Sequence, residues 1–149
     1  MIRCMGYELL RLLHFAAIFA FTGALFIENM AIKPEITGED ARNLAKVDAV
    51  CGASAVLVFL IGMALWLWVG KPSEFYSSNP VFQLKLGLFA LLVLLAAYPT
   101  VFFARHRQSN ASTIAVPGII RVLLKAEVCV LIVIPVFAFL MARGVGLSG

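Results

Sequence analysis

The sequence is short of charged residues, which make up only 13% of its 149 residues. About a quarter of a soluble domain is charged, so this chain lacks the surface that a water-soluble fold needs. It also lacks a basic patch interleaved with aromatic side chains, which excludes nucleic acid as a partner despite a net charge of +4. The basic residues stand instead at the ends of apolar runs, as they do in membrane proteins.

Cysteine and histidine are scarce as well. The three cysteines, Cys4, Cys51 and Cys129, are far apart and form no C-x-x-C pair, which excludes a disulfide framework and a thiolate zinc site. We expect them to be small buried apolar side chains. The two histidines, His14 and His106, leave few candidate ligands for a metal or cofactor.

Hydrophobic residues are abundant, at 62% of the chain. They form four runs of bilayer-spanning length, at about residues 9–27, 47–69, 81–104 and 119–142. Because a backbone in hydrocarbon must satisfy its own hydrogen bonds, each run is predicted to be a helix. We predict one domain, residues 1–149, that forms an all-α integral membrane four-helix bundle with up-down-up-down topology. The first run ends without a small-x-small cleavage site, so we expect it to be retained as a span.

The connections contain helix-start signals. Thr37-Gly38-Glu39-Asp40 has the pattern of a capping box, which predicts a short polar helix over residues 39–46 that runs into the second span. Asn79-Pro80 predicts a capped start of the third span. Pro99 and Pro135 are expected to kink the third and fourth spans.

Lysine and arginine in the short loops predict the orientation of the spans. The side that carries both termini has Arg3, Arg11, Lys71 and Arg143. The opposite side has Lys33, Arg42, Lys46, Arg105, Arg107 and Arg121. We therefore predict a multi-pass protein of the bacterial inner membrane, with the second side cytoplasmic and both termini in the periplasm.

Ionisable residues interrupt the first span at both ends. His14 and Glu28 are fourteen residues apart, which is about 40° short of four helical turns and about 21 Å along the axis. Together with Arg11 they form one polar stripe. Such a stripe in a bilayer faces a bundle interior, a partner or a cavity.

Polar residues near the cytoplasmic side are predicted to form a charge network. Its members are Glu28, Asp48, Tyr98, Arg121, Lys125 and Glu127. Leaving one buried charge unpaired costs roughly 3–5 kcal/mol, so each charge is expected to have a partner on another helix. We expect Glu28 or Asp48 to pair with the basic residues. Glu127 is expected to pair with Arg121 or Lys46. The network would either fix the bundle or form a proton or ion path.

His14 and Lys85 are predicted to lie at similar depth near the side of the termini, each about one and a half turns inside its span. A neutral imidazole in lipid needs a hydrogen-bond partner or a metal. One haem iron cannot bind both histidines, because His106 follows the third span at the opposite face. Two alternatives stay open: a hydrogen-bonded structural histidine, or a haem b ligated by His14 with Lys85 or another group as the sixth ligand.

Motifs spread over nearly the whole chain carry a family resemblance. They are Asp48, Gly52, Phe75-Tyr76, Asn79-Pro80, Lys85, Tyr98-Pro99-Thr100, Glu127, Ile134-Pro135 and Met141-Ala142-Arg143-Gly144. Together they resemble the signature of a bacterial four-span family that is known only as a domain of unknown function. The resemblance implies the four-span fold and supplies no activity.

Two helices carry a more distant resemblance. Leu13-His14, Phe21 and Leu25-Phe26 are similar to the first helix of the HemJ-type protoporphyrinogen oxidases, which implies b-type haem at His14. The run from Lys85-Leu86 to Tyr98 resembles the HemJ third helix, and the CopD copper-resistance membrane domain is more distantly similar. The further HemJ histidines are replaced here by Glu28-Asn29 and Pro99, so the resemblance does not extend to the oxidase reaction.

Three functions follow from these patterns. The first is a haem-binding membrane redox protein that acts on a porphyrin or quinone, with His14 as the metal ligand. Lys85 would be its sixth ligand or propionate partner, Arg11 a further cofactor contact, and any enzyme activity that of a HemJ-like oxidoreductase. The second is a small transporter or ion-handling protein that uses the charge network. The third is a partner subunit of a membrane complex, or a homo-oligomer, in which the charges serve assembly alone.

Overall fold

The chain forms four long helices, as the four apolar runs predict. The computed structural model describes residues 2–69 and 77–143, with helices α1 (Ile2–Ala31), α2 (Gly38–Ala64), α3 (Pro80–His106) and α4 (Gly118–Ala142). A π-helical turn, Leu65–Val69, extends α2. Several residues used in the sequence analysis lie outside the described residues or have side chains that do: Arg3, Cys4, Lys71, Phe75, Tyr76, Ala142 and Gly144.

Each helix contains a segment that is long and apolar enough to cross a bilayer. Within the described residues these segments are Met5–Ala31, Gly38–Trp68, Pro80–His106 and Gly118–Met141. Only 11–22% of the residues in their most apolar windows are buried inside the protein, so most of the apolar surface faces outwards. In water such a surface would drive aggregation, whereas in a bilayer it is the surface in contact with lipid. The all-α four-helix membrane bundle is confirmed.

Local signals place the helix starts as predicted. Thr37 Oγ1 accepts a hydrogen bond from the Asp40 backbone N–H at 3.1 Å, and Asp40 Oδ2 accepts one from the Thr37 N–H at 3.0 Å. This capping box begins α2 nine residues before its apolar run. Asn79 Oδ1 accepts from the Val81 N–H at 2.9 Å and caps α3. Both α3 and α4 continue through their internal prolines, and the kinks stay a prediction.

A small antiparallel ribbon, which the sequence analysis did not foresee, joins two of the connections. Strands β1 (Glu35–Ile36) and β2 (Ile114–Ala115) pair with Ile36 opposite Ile114. Hydrogen bonds from Val116 N–H to the Pro34 carbonyl at 2.9 Å and from Gly38 N–H to the Ala111 carbonyl at 3.0 Å extend the connection. We call this the ribbon end of the bundle. The opposite end, where α1 begins and α4 ends, is the terminus end.

The best-packed part of the protein lies at the ribbon end. Its buried apolar residues, which we call the ribbon-end core, include Leu25, Ile36, Ala41, Leu44, Phe103, Ile114, Val116, Ile120 and Leu124. The core is supplemented by a hydrogen bond between helices, from Asn29 Nδ2 of α1 to the Leu124 carbonyl of α4 at 3.0 Å. The ribbon and this core hold the four helices together at one end.

Candidate functional site

Three carboxylates from three helices gather on one side of the ribbon-end core. Glu28 of α1 and Glu127 of α4 are only 2% and 1% exposed, and Asp48 of α2 is half-buried. Asp48 and Glu127 are both close enough to act electrostatically on Glu28. We call these residues the acidic triad. Glu28 lies one turn before the end of α1, and Asp48 and Glu127 lie about 14–15 Å inside α2 and α4.

The acidic triad has little internal compensation for its charge. One carboxylate oxygen of Glu28 and one of Glu127, Oε1 in both, are buried without a hydrogen-bond partner. Asp48 Oδ1 accepts a hydrogen bond from Thr100 Oγ1 of α3 at 2.8 Å. That bond also joins α2 to α3. Two nearly buried carboxylates are therefore left with unmet hydrogen-bonding capacity, which is unusual in a folded protein.

The basic members of the predicted charge network do not join the acids. Among the described residues no ion pair links Glu28 or Glu127 to a basic side chain, and Lys125 is exposed. The geometry of α4 explains this, because residues two apart on a helix point about 200° away from each other. Burying Glu127 therefore turns Lys125 outwards. Arg121 is half-buried with an unpartnered Nε, and Tyr98 is 49% exposed.

A large cavity extends from the acidic triad towards the terminus end. Its volume is about 970 Å³, within the range of sites that bind drug-sized molecules. All three acids line it together with Thr100, and the rest of its wall is almost entirely apolar. Prominent wall residues are Phe21, Phe59, Met63, Trp66, Leu86 and Phe89. The cavity therefore has one acidic end and a long apolar body.

Sequence reasoning missed two residues of this cavity. Cys51 is buried, has a free thiol and lines the cavity one turn from Asp48. Thr100, the hydrogen-bond partner of Asp48, lies in the Tyr98-Pro99-Thr100 motif but was given no role. The only available signal for either residue was its helical spacing, which does not distinguish a cavity wall from a lipid-facing surface.

His14 and Lys85 form a separate feature nearer the terminus end. His14 is half-buried against α2, with Cε1 3.2 Å from the position that a Cβ on Gly62 would take. Its Nδ1 is buried without a partner. Lys85 is near enough to act on it electrostatically, as the prediction of similar depth requires, and Lys85 Nζ lies 5.6 Å from the centre of the Phe82 ring. Neither His14 nor Lys85 lines the cavity.

Arg11 and His106 are placed apart from this pair. Arg11 is exposed, with its guanidinium carbon 6.0 Å from the centre of the Phe15 ring, and its role as a cofactor contact stays a prediction. His106 closes α3 at the ribbon end, where its Nδ1 lies 2.8 Å from the Phe102 carbonyl. The two histidines are thus at opposite ends, as predicted. In the described part of the chain, no group of three His, Cys, Asp or Glu side chains is arranged to hold a metal ion.

Comparison with known families agrees with this architecture. A family model described as predicted membrane protein (DUF2214) matches residues 7–146. The chain belongs to the DUF2214 family. The DUF2214 match includes the acidic triad, His14 and Lys85, and it covers all but the first two residues of the four membrane segments. No curated protein and no solved structure matches the chain, so the similarity to HemJ and CopD stays a prediction.

Proposed function

We propose that this DUF2214 protein binds a hydrophobic organic cation within the membrane and acts as a small transporter for it. The observation that carries the proposal is the pair Glu28 and Glu127, both at least 98% buried and both with an unpartnered oxygen, at the acidic end of an apolar cavity. The ligand has an apolar body and one positively charged group. The charged group lies beside the acidic triad and the body fills the rest of the cavity.

Electrostatics favours a cationic ligand over a neutral or anionic one. Carboxylates in a low-dielectric environment need protons or a nearby positive charge. The described residues provide no basic side chain in contact with Glu28 or Glu127, so protons or a positive charge from outside the protein must balance the two carboxylates, and a bound cation can replace the protons. An anion in the same place would add to the negative charge already gathered there.

The walls of the cavity suit the apolar body of such a ligand. Phe59 of α2 and Phe89 of α3 stack with their ring centres 6.4 Å apart and their planes 11° apart. Both rings line the cavity. Aromatic rings bury a large apolar area and also attract a cation through their faces. Affinity is therefore expected to come from apolar contact, and selection for positive charge from the acidic triad.

The proposal predicts strong discrimination by charge between two ions of the same shape. Tetraphenylphosphonium and tetraphenylborate both present four phenyl rings but carry opposite charges. We expect the purified protein in detergent to bind tetraphenylphosphonium saturably and to bind tetraphenylborate at least tenfold more weakly. Equilibrium dialysis with each ion measures this. Equal affinity for the two ions, or no saturable binding of the cation, would contradict the proposal.

Haem binding at His14 is a second candidate, and the buried unpartnered Nδ1 of His14 favours it. An imidazole nitrogen that has no hydrogen-bond partner is available to bind a haem iron. His14 would hold the haem b and Lys85 would provide the sixth ligand or the partner of a propionate. The group would supply one-electron redox chemistry. Arg11, which is exposed beside Phe15 three residues before His14, would be a further contact of the cofactor.

The haem candidate predicts a Soret band in protein purified after haem-replete expression. Its reduced-minus-oxidised spectrum should be that of a b-type haem, and His14→Ala should remove it. His106→Ala is the matched control, because His106 lies at the opposite end of the bundle, and it should leave the spectrum unchanged. A wild-type preparation with no Soret band refutes the candidate, and a full band in His14→Ala refutes His14 as the ligand.

The proposed transporter is placed in a bacterial inner membrane, with the ribbon end cytoplasmic. Exposed basic residues at that end support this orientation: Lys33, Arg42, Lys46, Arg105 and Arg107. Basic residues flanking the spans favour the cytoplasmic side. Reporter enzymes fused to the two termini should both be active in the periplasm.

A further inference from the structure

The cavity is closed towards the ribbon end. Leu44, Phe103 and Leu124 each lie one helical turn nearer the ribbon than the polar cavity residue on the same helix. Their side chains are 2%, 0% and 0% exposed, respectively. They belong to the ribbon-end core, and close-packed protein interiors leave few voids large enough for water. A ligand therefore cannot reach the acidic triad from this end without disrupting the best-packed part of the bundle.

The gap between α2 and α3 offers a different route. These helices are joined near the ribbon by the hydrogen bond between Asp48 and Thr100. Near the terminus end, Trp66 meets Phe82 edge-on, with ring centres 5.0 Å apart. The two contacts are eighteen residues apart on each helix, or about 27 Å. The stretch between them is roughly as long as the hydrocarbon core of a bilayer is thick.

The cavity is not enclosed, and between these two contacts several of the residues that line it have exposed side chains. Val56 of α2 is 57% exposed, and Val93 and Leu94 of α3 are 47% and 72% exposed. In a membrane their outer surroundings are lipid. A side chain that touches both the cavity and the lipid marks an opening in the wall, so the cavity communicates sideways with the hydrocarbon.

Small residues keep this opening wide. Gly52 of α2 and Ala90 and Ala97 of α3 are exposed and line the cavity. A Cβ added to Gly52 would meet no atom within 4 Å. Larger side chains at these positions would fill the space between the helices without displacing packed neighbours.

We propose that the organic cation enters and leaves the cavity sideways, from the hydrocarbon of the bilayer, through the opening between α2 and α3. The inference rests on the proposed function, since it concerns access to the same site. A hydrophobic cation partitions into membranes because of its apolar body. It then reaches the acidic triad while its apolar body stays in apolar surroundings throughout. The protein thus takes its ligand from the membrane and not from the water at the ribbon end.

The test measures rates with the opening partly filled. The protein is placed in lipid nanodiscs in a Trp68→Phe background, which leaves Trp66, a cavity residue, as the sole tryptophan. Energy transfer from Trp66 to a dansyl-labelled triphenylphosphonium reports binding in a stopped-flow instrument. Gly52→Leu partly fills the opening, and Gly87→Leu is the matched control, because Gly87 is also exposed with open space around it but does not line the cavity.

A side opening predicts that Gly52→Leu slows both association and dissociation, each at least fivefold. Gly87→Leu should match the parent. If either glycine variant fails to fold, a second pair replaces the first. Ala97→Phe lies in the opening and should slow both rates, whereas Ala104→Phe, two turns further along α3, is its control and should match the parent.

Two results overturn the side opening while leaving the proposed function intact. The first is unchanged rates in Gly52→Leu and Ala97→Phe, which would mean that the ligand uses another route. The second is faster dissociation with unchanged association, which would make these residues ligand contacts away from the route. Absence of saturable binding in the parent overturns the proposed function and the side opening together.

Discussion

Glu127→Gln is expected to lower the affinity for tetraphenylphosphonium at least tenfold, and Glu28→Gln to do the same. Glutamine keeps the shape of glutamate and removes its negative charge. Interactions with a charged group contribute about 1.5–3 kcal/mol, which corresponds to roughly a tenfold to hundredfold change in the dissociation constant. Equilibrium dialysis against wild type gives the ratio directly.

The control for this experiment is Glu8→Gln, which makes the same chemical change at an exposed position of α1. It should bind the cation as the wild type does. If Glu28→Gln and Glu127→Gln also retained wild-type affinity, the acidic triad would have no part in binding. Loss of affinity in all three variants would instead indicate a general effect of net charge.

Glu127→Leu is expected to raise the thermal stability of the protein while it abolishes cation binding. Glu127 is 1% exposed and has an unpartnered oxygen, so the folded protein bears the cost of desolvating it. Leucine has a similar volume, and burying its apolar side chain carries no such desolvation penalty. The expected gain is about 1–3 kcal/mol, the size of the penalty for a buried unsatisfied polar group. Thermal unfolding in detergent micelles, monitored by circular dichroism, measures it.

The sign of this change separates two accounts of the acidic triad. In an interhelical ion-pair network, removal of Glu127 would leave a buried basic partner alone and would cost about 3–5 kcal/mol. Leu124→Ala, one turn away on α4 and fully buried in the wild type, is the reference for a destabilising change and should cost about 2–5 kcal/mol. A Glu127→Leu variant that melts below wild type would contradict our account.

The presence of the four helices and the residues at which they begin could be predicted from the sequence, because both depend on local chemistry. The four apolar runs specify helices through the backbone hydrogen bonds that lipid does not satisfy. The helix-start signals, Thr37 with Asp40 and Asn79 with Pro80, each involve residues that are only a few positions apart in the sequence. The ribbon was missed because Ile36 and Ile114 are far apart in sequence, and two-residue strands leave no periodic pattern.

The acidic triad could be predicted only in part. Its three members share one depth, and depth follows from position along each span. Rotation about the helix axis could not be obtained in the same way, since lipid-facing and core-facing surfaces are both apolar and periodicity does not distinguish them. That is why Lys125, two residues from Glu127, was expected in the same network although it faces outwards. The cavity depends on the placement of small residues such as Gly52 and Ala97, which only the packed helices reveal.

The central claim is that the cavity beside the acidic triad holds the cation, and locating a bound cation tests it most directly. Tetraphenylarsonium has the shape and charge of tetraphenylphosphonium, and its arsenic atom gives an anomalous diffraction signal. Crystals of the wild-type protein grown with it should show one arsenic peak inside the cavity, on the side where Glu28, Asp48 and Glu127 meet. In crystals of Glu127→Gln grown at the same subsaturating concentration of the cation, the peak should be much weaker. An arsenic peak outside the cavity, or one of undiminished height in Glu127→Gln, would contradict the claim.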